Sequence, residues 1–160
     1  MKKDQTIGEV LRSRGISRRS FLKFCATTAS VMALPPSMVP VIAATLEKAK
    51  RPSVIWLSFQ ECTGCTESLT RAHSPTVEGL IFDAISLDYH HTLQAASGTA
   101  AEAAREAAME ENYGKYILIV DGSIPTANPG YSTIAGISNR EMLTDVAQGA
   151  AAIVAVGSCA

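Results

Sequence analysis

Cys62 and Cys65 stand two residues apart in SFQECTGCTESLTRAH, residues 58–73, directly after an apolar run and before a helical stretch. Thiols at this spacing can form a redox disulfide, where a helix N-terminus lowers a thiol pKa. They can also make half of a zinc clip, or supply two ligands of an iron–sulfur cluster. The spacing alone allows all three. The other two of the four cysteines, Cys25 and Cys159, and the route by which the chain is handled, must discriminate among them.

Charge separates the chain into two parts. Residues 1–44 carry Lys2, Lys3, Arg12, Arg14, Arg18, Arg19 and Lys23 against Asp4 and Glu9, a balance of +5 that leaves −6 of the net −1 to residues 45–160. SRRSFLK, residues 17–23, precedes 21 residues without a charge, Phe24 to Ala44. Paired Arg18 and Arg19, Phe-Leu, Lys and a moderately apolar stretch resemble a twin-arginine signal. Its length would suit a membrane span, but Pro35, Pro36 and Pro40 interrupt a helix. Cleavage is expected near residues 43–45, which places Cys25 in the leader and outside the mature chain. Such signals imply export of an already folded protein to the periplasm or the periplasmic face of the inner membrane, typical of proteins that receive a metal cofactor beforehand. The acidic mature part carries no nucleic-acid signature.

The elements that position the cysteines follow from the remaining pattern. SVIWLSF (53–59), DAISLDY (83–89), YILIVDG (116–122) and AAIVAVG (151–157) are short apolar runs that read as strands. Between them, Ser74-Pro75 is expected to cap a helix over TVEGLIF. Thr99 and Glu102 have capping-box spacing before an Ala-rich helix that Gly114 ends. Asn139 is expected to cap REMLTDVAQ, with Gly149 beyond it. Apolar strands alternating with helices imply an α/β fold, a flavodoxin-like doubly wound parallel sheet over residues 45–160. Ligands bind such sheets at the carboxyl ends of the strands. Cys62 and Cys65 follow the first strand and Cys159 the last, so three thiols converge on one edge. A thioredoxin-like site needs only two, and structural zinc usually takes two close pairs. The third thiol and the folded-export signal favour the cluster.

ECTGCTES, ISLDYHHTL, GKYILIVDGSIPT and the terminal GSCA, with the twin-arginine leader, resemble in order and spacing the small subunit of [NiFe] hydrogenases over residues 17–160. The resemblance implies an electron-transfer subunit whose Cys62, Cys65 and Cys159 are three of four ligands of a proximal [4Fe–4S] cluster. It also implies a large-subunit partner that carries the nickel–iron centre and does the chemistry on hydrogen, so no catalytic residue is expected here. Electrons would leave through further iron–sulfur clusters in a second domain to a membrane cytochrome b or another acceptor. The fourth proximal ligand and all later clusters are expected downstream, so the chain reads as the N-terminal part of a longer subunit. Gly64 and Thr133 occupy places where oxygen-tolerant members carry extra cysteines, which implies an ordinary cubane. Asp121 stands where the family usually has Glu. The readings held against this are a periplasmic thiol–disulfide oxidoreductase working through Cys62 and Cys65, and a zinc-stabilised binding domain.

Neighbouring residues carry smaller expectations. Glu61 alone reads as a solvated loop carboxylate, while the resemblance aligns it with an acid implicated in proton passage at the subunit interface. Glu67 suits the first turn of a helix. Thr63 and Gly64 are expected to wrap the backbone around the cluster, Gly64 through positive φ. Trp56 reads as core. His73 and the pair His90-His91 are not expected to ligate metal, since adjacent side chains diverge on an extended chain.

Overall fold

The computed structural model describes residues 6–13 and 15–160; Arg14 and the first five residues of the expected leader lie outside the described residues. The chain divides into two units between Arg51 and Pro52.

The first unit is helical. It contains α1 (Ile7–Ser13), α2 (Arg18–Val31) and α3 (Val39–Lys48), and between α2 and α3 prolines remove backbone donors. Ser17 caps α2 by accepting from Ser20 N at 3.2 Å. Pro36 opens a 3₁₀ turn to Met38, and Pro40 sits in the first turn of α3, where its missing N–H costs nothing. Arg12 donates to Glu47 at 2.8 Å and ties α1 to α3. Arg18 and Arg19 lie exposed in the first turn of α2, at the positive end of its dipole. Thr27, Thr28 and Ser30 return their hydroxyls to carbonyls one turn back. Among the described residues no helix is long and apolar enough to cross a membrane.

The second unit is an α/β domain. Its strands β1 (Ser53–Ser58), β2 (Ser86–His90), β3 (Tyr116–Asp121) and β6 (Ala150–Val156) form a wholly parallel sheet in the order β2-β1-β3-β6. A short antiparallel pair, β4 (Thr133–Ile134) with β5 (Ile137–Ser138), is inserted after β3. The connections carry α4 (Gly64–Thr70) and α5 (Val77–Gly79) after β1, α6 (Thr99–Glu111) after β2, and α7 (Asn139–Gln148) before β6. One face of the sheet presents Ile55, Leu57, Tyr89, Leu118 and Val120 to Ala101 and Ala108 of α6 and Met142 and Val146 of α7. By the two-residue period of a strand the other face carries Trp56, Ser58 and Asp121. Trp56 lies 4.9 Å from the His90 ring on this face. This is the doubly wound flavodoxin-like topology.

Local details differ from the sequence pattern. The second strand begins at Ser86, because residues 80–84 are drawn into a wide helical turn that follows α5. Thr76, not Ser74, caps α5 by accepting from Gly79 N. Thr99 is the first residue of α6 and not its cap: Gly98, at φ 58, turns the chain, and Glu102 instead binds Tyr89 Oη at 2.7 Å and Arg105 Nε at 3.1 Å. Asn112 occupies the C-cap of α6, while Gly114 reaches across to the carbonyl of Gly149 at 2.8 Å. Ser138 caps α7, and Asn139 is buried, bonded to Ser132 by both backbone and side chain. β6 is apolar throughout, yet Ile153 is 55% and Val154 45% exposed. Among the described residues it is an edge strand, hydrogen-bonded only to β3.

Candidate metal centre

β1 and β3 end side by side, and their following loops are stapled. Phe59 N donates to Asp121 O at 2.9 Å, and Gln60 and Ser123 exchange backbone hydrogen bonds of 3.2 and 2.9 Å. Gly122 lies between these bonds at φ +82, and a Cβ there would stand 2.9 Å from the Gln60 backbone. The chain emerging from this staple reaches Glu61, whose Oε1 accepts from Thr63 Oγ1 at 3.3 Å, and then exposed Cys62. Thr63 adopts the left-handed conformation at φ 64 and starts α4 at the next residue. Positive φ therefore falls on Thr63 and not on Gly64, whose value is to leave Cys62 Sγ unobstructed: a Cβ at Gly64 would meet it at 3.1 Å. Glu67 stands in the first turn of α4 as expected and pairs with Arg71.

Cys65, in that first turn, is half-buried and directed at the end of β6. Its Sγ lies 3.9 Å from Val156 O. A Cβ on Gly157, at φ +82, would come within 2.4 Å of the same sulfur. Cys159 follows two residues later and is exposed, beside a groove of about 400 Å³ lined by Val120, Gly122, Leu143 and Ile153. All three thiols thus lie at the carboxyl edge of the sheet. Among the described residues no three His, Cys, Asp or Glu side chains stand together closely enough to enclose a metal ion. The donor chemistry is that of a thiolate-bound metal group. Three soft donors share one edge, and Gly64 and Gly157 supply the space that a side chain would take from two of the sulfurs.

Burial pushes the Cys65 thiol up, and the Asp121 carboxylate, Cys62, Glu61 and Cys159 push it further. A metal cation at these sulfurs would reverse that balance by binding the thiolate. Buried polar atoms without a hydrogen-bond partner in the protein collect at these strand ends: Trp56 Nε1, Ser58 Oγ, Glu61 Oε2, His91 Nε2 and both Asp121 carboxylate oxygens.

The histidines are structural in geometry. His90 is buried, and its Nδ1 accepts from the backbone N–H of Thr92 at 3.0 Å and Leu93 at 3.3 Å. The proton therefore sits on Nε2, 3.4 Å from Thr66 Oγ1 of α4. Burial lowers the His90 pKa to about 4, with Asp121 opposing the shift. His91 Nδ1 accepts from Ser58 N at 2.9 Å and so takes the ladder position that β2 vacates when it ends. Its ring meets Tyr89 edge-on at 5.2 Å. Burial lowers the His91 pKa as well. His73 is exposed after α4, and Thr133 is exposed on β4. Sequence reasoning missed the roles of Ser58 and Gly157. The signal for Gly157 was a glycine closing an apolar run, where backbone and ligand approach closely.

Residues 62–160 match the family described as "NADH ubiquinone oxidoreductase, 20 Kd subunit". The chain is 46% identical over 151 residues to the hydrogenase-2 small chain of Escherichia coli K12, a match covering 94% of this chain and 41% of the relative. It is 46% identical to the periplasmic [NiFe] hydrogenase small subunit 1 of Nitratidesulfovibrio vulgaris over 95% of this chain and 48% of the relative. The uptake hydrogenase small subunit of Azotobacter vinelandii is 44% identical, with 100% and 45% covered. The chain thus spans less than half the length of these relatives. Among solved structures, the reduced, active Ni-Fe-Se hydrogenase of Desulfomicrobium baculatum matches with a TM-score of 0.66 and 37% identity, over 69% of this chain and 43% of the other.

Proposed function

The chain belongs to the family of the NADH ubiquinone oxidoreductase 20 kDa subunit, with hydrogenase small subunits as its relatives, and from this we propose that it is the electron-transfer small subunit of a periplasm-facing [NiFe] hydrogenase. Cys62, Cys65 and Cys159 would hold a proximal [4Fe–4S] cluster, which when bound accepts and passes on one electron at a time. The observation that carries this reading is the meeting of Cys65 with Gly157, two residues before Cys159. It joins the loop after β1 to the loop after β6 at one sheet edge.

The chain's own residues would act by placement. Thr63 turns the backbone so that Cys62 and Cys65 flank the start of α4, and Gly157 leaves room at the Cys65 sulfur. Glu61 would pass protons at the interface with the large subunit, which brings the nickel–iron centre. A cytochrome b or another acceptor would take the electrons onward. Arg18 and Arg19 would direct folded export, and residues 1–44 would be the leader removed afterwards.

The test is iron and sulfide analysis of the anaerobically purified complete subunit with its partner, followed by Cys62→Ala and Cys65→Ala. Both substitutions should abolish hydrogen-dependent dye reduction, and an unchanged rate overturns the proposal. Glu61→Gln should slow turnover while the cluster spectrum persists. Thiol–disulfide chemistry is the competing reading because the cysteine pair opens a helix. It predicts a reversible Cys62–Cys65 disulfide and no iron.

A further inference from the structure

Asp121 ends β3 in full burial, with 0% of its surface exposed and both carboxylate oxygens unpartnered in the protein. Burying an ionised carboxylate without donors is expensive. Native proteins keep such a group where water, an ion or a cofactor bonds it, or where function requires it.

Register says what surrounds it. On one side Asp121 pairs with Ser58 of β1, whose hydroxyl is also buried without a partner. The two side chains share a sheet face, a donor beside an acceptor, in a setting suited to internal water. On the other side Asp121 pairs with Val156 of β6, the residue whose carbonyl faces Cys65 Sγ at 3.9 Å. The carboxylate is thus one strand away from the half-buried thiol, with Gly157 placing no side chain near that sulfur.

We propose that the Asp121 carboxylate, bonded by internal water that the neighbouring Ser58 hydroxyl also meets, holds down the reduction potential of the metal group bound at Cys65. The inference rests on the electron-transfer reading above. A fixed negative charge in a poorly polarisable interior opposes the arrival of an electron nearby. Asp121 neither takes nor gives the electron, which comes from hydrogen oxidised on the partner and leaves to the next acceptor. The charge only sets what that arrival costs.

The test is a redox titration of the proximal-cluster signal in the complete subunit with its partner. Asp121→Asn should raise the midpoint potential, increasing the reduced-to-oxidised ratio at fixed poise by up to about tenfold, which is about 59 mV for one electron. Asp121→Glu, which keeps the charge, should leave the potential in place. A loaded Asp121→Asn protein with the wild-type potential overturns the inference and leaves the proposed function standing. Wild-type protein without a cluster signal overturns both. Should the amide prevent loading, Asp121→Ser must raise the potential in the same way. Should that also fail to load, Ser58→Ala, which strips a donor from the water around an intact charge, must lower it. An unmoved value in either loaded variant overturns the inference.

Discussion

Two single residues carry consequences out of proportion to their size. Gly157 and Gly136 both have positive φ, +82 and +80, but a Cβ on Gly136 would meet nothing within 4 Å while one on Gly157 would strike Cys65 Sγ. Alanine at either position should cost about 1–2 kcal/mol of stability through left-handed strain. Only Gly157→Ala should also strip iron from the protein, as measured by metal content beside urea unfolding. His90 makes a different prediction. Its pKa falls from 6.5 to about 4 on folding, so the unfolded chain binds the extra proton between these values. Stability is therefore complete above pH 6.5 and declines as pH falls toward 4, by about 3 kcal/mol in all at 1.36 kcal/mol per unit. Urea midpoints of the whole chain between pH 7.5 and 4 should show this slope, and His90→Gln should flatten it. His91 acts in the same direction.

At the scale of elements, the ends were less legible than the elements themselves. The strands were readable because parallel strands covered by helices are apolar throughout. Caps were not, since Ser, Thr and Asn near a helix start are interchangeable in a pattern and only the backbone turn chooses among them. At α7 the choice fell on Ser138, because the neighbouring Asn139 was taken by Ser132. At α6 it fell on Gly98 because the chain arrives there with positive φ. Ser138→Ala should therefore cost about 1 kcal/mol, whereas Thr99→Ala should be near neutral, as no cap is lost. Paired urea unfolding curves check the contrast. The candidate site followed the same rule. Cys62, Cys65 and Cys159 could be assigned to one edge from strand order alone, but the approach of Cys65 to Val156 O at the end of β6 is a contact 91 residues apart that no local pattern carries.

Across the whole molecule, the charge asymmetry of the sequence corresponds to two units that meet the chain's needs differently. The helical unit keeps Arg18 and Arg19 exposed at a helix start, where the dipole opposes them. The proposed export role can be tested on these two residues. Replacing both with Lys keeps the charge and should leave the fold intact, yet should hold the precursor in the cytoplasm, as read by cell fractionation and immunoblotting. The α/β unit concentrates its core on one sheet face and its polar irregularities on the other, at the strand ends where the cysteines lie.

The reciprocal Gln60–Ser123 bonds have a dynamic corollary. They are made between two loops, yet they continue directly from the last rungs of β1 and β3. The amide hydrogens of Gln60 and Ser123 should therefore exchange with solvent deuterium together and at the pace of the strands, long after those of exposed Thr126 and Ala127 in the loop beyond. On the timescale of amide exchange the stem of the cysteine loop moves with the sheet.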